Sequence, residues 1–201
     1  MLLAAARYSF ANARVRALRS KRLSGEDFYF LLQADDLAGL LAYLATTSYG
    51  HVRPDLPLRS VQRHLFTTLF THYHKIAGSL RHAAGRRVIL ALFARFEAEN
   101  LKILLRGIAA GHDHAVTAPL LYPLGPLSTL AWERLSDCTT PEELIRALEG
   151  SAFVRPLAHA MAQYQAGGAI PPLEAALDLA AFRHLAGAVA ALAGRSDRKA
   201  A

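Results

Sequence analysis

Apolar residues in this chain recur at intervals of three and four, and strict apolar/polar alternation persists nowhere. That spacing belongs to amphipathic helices rather than half-buried strands, so the expected fold is all-α. The clearest case begins at Ile89. Steps of three and four from there collect Leu92, Phe93, Phe96, Asn100, Ile103, Leu104 and Gly107. Asn100 stands at the centre of this otherwise apolar face, with Glu97 and Glu99 to either side. A buried amide opposes folding unless it finds hydrogen-bond partners, so Asn100 must have some. The two glutamates read as solvated flanks.

The chain has 201 residues, 53% of them hydrophobic, enough for one or two modest cores. Leu, Ala and Arg are abundant and β-branched runs scarce, which favours helices. A single cysteine, Cys138, excludes an internal disulfide framework and any multi-cysteine zinc site. No apolar run is long enough to span a bilayer, because Glu174, Asp178 and Arg183 break the Ala-rich C-terminal stretch. The first 22 residues contain no acid and superficially resemble a transit peptide. They nevertheless continue a helical stripe through Tyr8, Ala11, Val15 and Leu18, and so read as the first helix.

Punctuation is clear. Ser24 is expected to cap a short helix carrying Phe28, Leu31 and Leu32, and Asp35 or Asp36 the next one. Pro54 and Pro57 mark a loop. A long helix is predicted from Leu58 to Leu80, with Val61, Leu65, Leu69, His72 and Ile76 inward. Gly85 separates it from the helix bearing Asn100, which is expected to reach Gly111. Thr140-Pro141-Glu142-Glu143 combines an N-cap, a proline at the first position and a glutamate three residues after the cap. The last long helix is predicted to begin at Pro172.

An internal repeat is also expected. LLAYLATTSY (40–49) and LIRALEGSAF (144–153) share the pattern L-L/I-x-x-L-x-x-T/S-x-aromatic, offset by 104 positions. Phe28 and Leu31 match Trp132 and Leu135 at the same offset, and Val61, Gln62 and Leu65 match Leu173, Glu174 and Leu177 at 112. These pairings read as two helical modules, 1–98 and 99–201, the second ending in a polar tail. Asn12 on the first long helix corresponds to Asn100. Each is expected to lie on its apolar stripe and to pin its helix in register against its neighbours, so that a leucine in place of Asn100 would leave stability similar or higher.

Catalytic groupings are weak. Residues two apart on a helix diverge, which separates His72 from His74 and Glu97 from Glu99. His112-Asp113-His114 offers two metal ligands in a loop without a third at a sensible spacing. No phosphate-binding glycine loop and no nucleophile elbow occur. No catalytic residue, cofactor or metal is expected. The charge of +7 leaves Arg14, Arg16, Arg19, Lys21 and Arg22 as the best surface for an anionic partner, and a solvated helix face as the simpler reading.

YSFANARVRALRS, DDLAGLLAYLATTSYG, FEAENLKILLRG, YPLGPLSTLAWERL, PEELIRALEGSAF and PPLEAALDLAAFRHL occur in this order between Tyr8 and Leu185. In this the chain resembles the C subunit of bacterial and archaeal V/A-type ATPases, equivalent to the d subunit of the eukaryotic vacuolar proton pump. The family motif places an acidic residue three positions before Asn-Leu-Lys, matched here by Glu97, Asn100, Leu101 and Lys102, with Arg106 at the downstream arginine. The resemblance implies a non-catalytic rotor-stalk socket that carries torque between a central shaft and the membrane ring during ion transport, proton transport in the vacuolar pump. It implies a position on the cytoplasmic face of the membrane, held there peripherally by protein partners, and no nucleic acid. Asn12, Arg14, Arg16, Glu97, Asn100, Lys102 and Arg106 are the expected structural or interface residues. Family members normally carry a third module, so two modules are not expected to close the socket alone. The alternative is a helical adaptor or nucleic-acid-binding protein using the basic first helix.

Overall fold

The structure is a computed structural model that describes residues 2–49, 53, 56–81 and 83–192; for 2–7 and 59 only the backbone is described. The predicted turn residue Pro54 and the polar tail 194–201 lie outside the described residues. Among those described there are ten α-helices, two 3-10 turns and no strand. The fold is all-α, as the periodicity required. The chain forms two compact units, Met1–Arg81 and His82–Ala201. The sequence boundary at residue 98 falls inside an unbroken helix of the second unit.

The first unit contains α1 (Leu2–Arg19), α2 (Gly25–Leu32), α3 (Leu37–Ala45) and α4 (Leu58–Ser79). Ser24 caps α2 in a reciprocal box: its hydroxyl accepts from the Asp27 N–H, and its own N–H donates to the Asp27 carboxylate. Asp36 caps α3. The Tyr43 hydroxyl donates to Asp27 at 2.8 Å and ties α3 to α2. Leu41, Leu44 and Val61 form the core, with Leu31, Leu40 and Leu65 leaning on it. On α4 the predicted stripe holds at Val61 and Leu65 and shifts by one position further along. Phe70 and Ala77 are buried whereas Leu69 is exposed, because a three-or-four step leaves the choice between adjacent positions open.

The second unit is built on α5 (Ala83–Ala109), followed by α6 (His114–Thr117) and an irregular stretch with two 3-10 turns. Four helices complete it: α7 (Trp132–Ser136), α8 (Pro141–Ala147), α9 (Val154–Gly167) and α10 (Pro171–Ala190). α8 starts as its sequence requires. The Thr140 hydroxyl accepts from the Glu143 N–H, and the Glu143 carboxylate accepts from Thr139. α9 ends at Gly168, whose φ of +66° is the left-handed conformation a glycine cap supplies. Pro171 and Pro172 then open α10, where missing N–H groups cost nothing.

α10 packs along α5 and α9. Leu101, Leu105, Leu144, Leu157, Leu173 and Leu177 are wholly buried, each contributing about 1.5–3 kcal/mol by transfer from water. A second cluster joins Ala84 and Val88 near the start of α5 to Leu192 just beyond α10. α5 is buried on nearly every side from Phe93 to Leu105. That makes it the axis of its unit and explains why polar residues on it need dedicated partners.

Candidate functional site

The polar residues of α5 divide by direction. Asn100 and Glu97 face the irregular stretch 118–131; Lys102 and Arg106 face α10. Asn100 is 1% exposed. Its side-chain oxygen accepts from the Tyr122 N–H at 2.8 Å, and its side-chain nitrogen donates to the Tyr122 carbonyl at 3.0 Å. One amide thus serves both backbone groups of one residue, as a neighbouring strand would. Asn100 does not pin helix against helix, as the sequence suggested. It fastens a loop to a helix.

Glu97 departs further from expectation: it is 6% exposed, not a solvated flank. One carboxylate oxygen accepts from the Ser128 hydroxyl at 2.6 Å and the Thr129 N–H at 3.1 Å. The Trp132 indole N–H donates to the same Ser128 hydroxyl at 2.8 Å, so a chain of hydrogen bonds runs from Trp132 through Ser128 to Glu97. Burial pushes the Glu97 carboxyl above its ordinary range, outweighing those two hydrogen bonds and the nearby His184. Glu99, half-exposed, turns instead to Lys102.

On the opposite side, the buried Lys102 ammonium donates to Asp178 at 2.6 Å and to Glu99 at 3.1 Å. Burial alone would depress its pKa. The hydrogen bonds and charges of Asp178 and Glu99 more than reverse that and leave it raised. One turn along, Arg106 donates to Glu174. Two cations four residues apart on α5 therefore meet two acids four residues apart on α10, in antiparallel register. Glu174 and Asp178 were visible in the sequence only as interruptions of an apolar run. The matching i, i+4 spacings were the signal that could have paired them.

Gly107 completes the belt. A Cβ there would lie 2.2 Å from Thr117 Cγ2, so only glycine lets α6 approach α5 this closely.

The residues expected on α1 are placed differently. Asn12 is exposed, although the sequence put it on the apolar stripe. Tyr8, Ala11, Val15 and Leu18 do face inward, and Asn12, one residue after Ala11, turns outward. The Arg14 guanidinium donates to the Lys75 carbonyl at 3.0 Å, near the end of α4, and covers the Phe10 ring. Arg14 is thus a brace between α1 and α4, while Arg16 is exposed.

His112, Asp113, His114, Asp137 and Cys138 border an open recess of about 320 Å³. His114 Nδ1 stands 3.9 Å from Asp137, and both side chains are at least half exposed. Burial, followed by the Glu143 charge, pushes the Cys138 thiol up and keeps it protonated, the opposite of a nucleophile's tuning. Among the described residues no three His, Cys, Asp or Glu side chains are grouped to hold a metal, and no helix is long and apolar enough to cross a membrane.

The arrangement suits fastening rather than reaction: every charged or amide group buried on α5 is engaged by its own unit. Comparison with known proteins agrees with the motif order. The profile of a family described as ATP synthase (C/AC39) subunit matches residues 11–199. The C subunit of the A-type ATP synthase of Methanocaldococcus jannaschii is 24% identical over 89% of this chain and 46% of its own length. The C subunit of the V-type ATP synthase of Deinococcus radiodurans is 27% identical over 88% of this chain and 52% of its own. The corresponding A-type protein of Haloferax volcanii is 28% identical over 86% and 51%. The chain spans about half the length of these curated relatives. With nearly its whole length matched by that profile, the chain belongs to the ATP synthase (C/AC39) subunit family.

Proposed function

We propose that this protein is a non-catalytic rotor-stalk element of a V/A-type ATP synthase, coupling the central shaft to the ion-translocating ring at the cytoplasmic face of the membrane. The observation that carries the reading is the polar belt of α5. Asn100, Glu97, Lys102 and Arg106 hold an irregular segment and a second long helix rigidly to one axis. Torque transmission asks for stiffness and satisfied registers, and this belt supplies both. Relatives named as C subunits of ATP synthases point to the assembly. Partners on this reading are the shaft subunits and the rotor ring, reached through exposed residues such as Arg16; attachment to the membrane is peripheral.

The two units also fit a duplicated module. Each opens with a long helix, passes through short ones and closes with a long one. Leu44 and Leu148, paired by the repeat, are both buried. The basic first helix supports nucleic-acid binding less well, since Arg14 is committed to Lys75 and Phe10.

Affinity purification from native membranes under gentle detergent tests the main reading. Co-purification of shaft and ring subunits is the expected result. Recovery of the chain without either would overturn it.

A further inference from the structure

Charge in this chain is divided unevenly. Residues 1–81 hold eleven lysines and arginines against five acids, and so carry +6 of the total of +7. Neither α1 nor α4 contains an aspartate or glutamate. A surface built only for solubility intersperses both signs. The acids of the first unit sit elsewhere, and two are engaged: Asp27 by Ser24 and Tyr43, Asp36 by the Gly39 N–H. α1 packs on α4, so the cations of both helices collect with no carboxylate from either.

Three of these groups meet where α1 ends. Lys21 stands in the turn after α1 with its backbone held on both sides. Its N–H donates to the Leu18 carbonyl at 3.2 Å, and its carbonyl accepts from the Ser48 hydroxyl at 2.5 Å. Lys75 is fixed on α4 likewise: its carbonyl accepts from the Arg14 guanidinium at 3.0 Å and the Ser79 hydroxyl at 2.6 Å. His72, three residues before Lys75, shares its face of α4. It is half-buried, whereas both lysines are exposed. Burial, then the charges of Lys75 and Lys21, hold the His72 imidazole below its ordinary range. Among the described residues no carboxylate acts on that ring, and neither lysine ammonium has an ion-pair partner.

From this we infer that Lys21, His72 and Lys75 form a binding site for a phosphate group. Two ammonium groups beside a half-buried imidazole repel each other and the protonated ring. A divalent phosphate offsets both lysine charges and accepts from the imidazole N–H as well; a carboxylate brings only one charge to the same place. Lysine suits the task because it meets phosphate as a point charge, without the two-pronged geometry that arginine imposes. Nucleic acid fits less well, since the exposed aromatic ring of α1, Phe10, is already covered by Arg14. The phosphate belongs either to a lipid headgroup or to a soluble ligand, and the chemistry at the site is the same for both. The inference concerns the first unit alone and is independent of the rotor reading.

Nuclear magnetic resonance of the His72 ring in the full chain tests it. Sodium phosphate should raise the His72 pKa more than sodium acetate does at equal ionic strength, because the anion binds the protonated ring more tightly and linkage is reciprocal. Lys21→Ala and Lys75→Ala alter exposed side chains, so both should stay folded by circular dichroism. Each should weaken phosphate binding about fivefold, and the double variant should lose it. A response to phosphate no larger than that to acetate overturns the inference, and so does phosphate binding that survives the loss of both lysines. Vesicles then identify the source. Sedimentation with mixed phosphatidylglycerol and phosphatidylcholine vesicles, abolished in the double variant, assigns the phosphate to a lipid headgroup. Sedimentation that is absent, or unchanged in the double variant, assigns it to a soluble ligand.

Discussion

Asn100 grips Tyr122 with both arms of one amide, and no apolar residue of similar size can substitute. Asn100→Leu takes away the acceptor of the Tyr122 N–H and one of the donors to its carbonyl, which keeps the Leu124 N–H. It should cost about 2–3 kcal/mol, seen as a lower denaturant midpoint, rather than being neutral as expected of a register pin. Gly107→Ala sets two effects in opposition. Alanine gains about 1 kcal/mol of helix propensity, but its Cβ meets the buried Thr117 Cγ2. The clash should win by about 1–2 kcal/mol. Because Thr117→Ser removes that methyl, the double variant should recover most of the loss in thermal unfolding. Glu97 makes a prediction with a sign. Its carboxyl titrates above the ordinary value of 4.5 in the folded chain. The unfolded chain therefore gives up the proton first, and folding weakens as pH rises from the unfolded value through the folded one. A glutamine at this position keeps the acceptor oxygen and removes the charge. Glu97→Gln should thus match wild type in acid and become the more stable toward neutral pH. Denaturant midpoints across that range check it. A variant weakest at neutral pH would mean that the charge itself is needed.

Between elements, the α5–α10 contact should be held unequally by its two ion pairs. Lys102 is buried and Arg106 largely exposed. A double-mutant cycle on Lys102→Met and Asp178→Asn should give a coupling of about 1–2 kcal/mol; one on Arg106 and Glu174 should stay below about 1 kcal/mol. Equal, vanishing couplings would remove the ladder from the account. Elements were the most legible level of this protein. Caps at Ser24 and Thr140 and the long central helix all follow from local chemistry that each segment carries itself. The partners of polar side chains were not legible. Asn12 and Asn100 look alike on helical wheels, yet α5 is wrapped on nearly every side and α1 is not. The burial of Glu97 depends on Ser128 and Thr129, in a stretch whose path no periodicity encodes.

At the scale of the molecule, the protein is a member of the ATP synthase (C/AC39) subunit family whose second unit has buried polar groups committed to fixing its own parts. If stiffness is the purpose, the irregular stretch must behave like the helices it lies on. Residue-resolved amide hydrogen exchange measures this directly. The Tyr122 and Thr129 amides, which donate to Asn100 and Glu97, should exchange as slowly as the helical amides of α5, although they lie outside any helix. In Asn100→Ala, Tyr122 should lose that protection while residues 93–105 keep theirs. Exchange of Tyr122 and Thr129 in the wild type at the rate of an open loop would contradict the account.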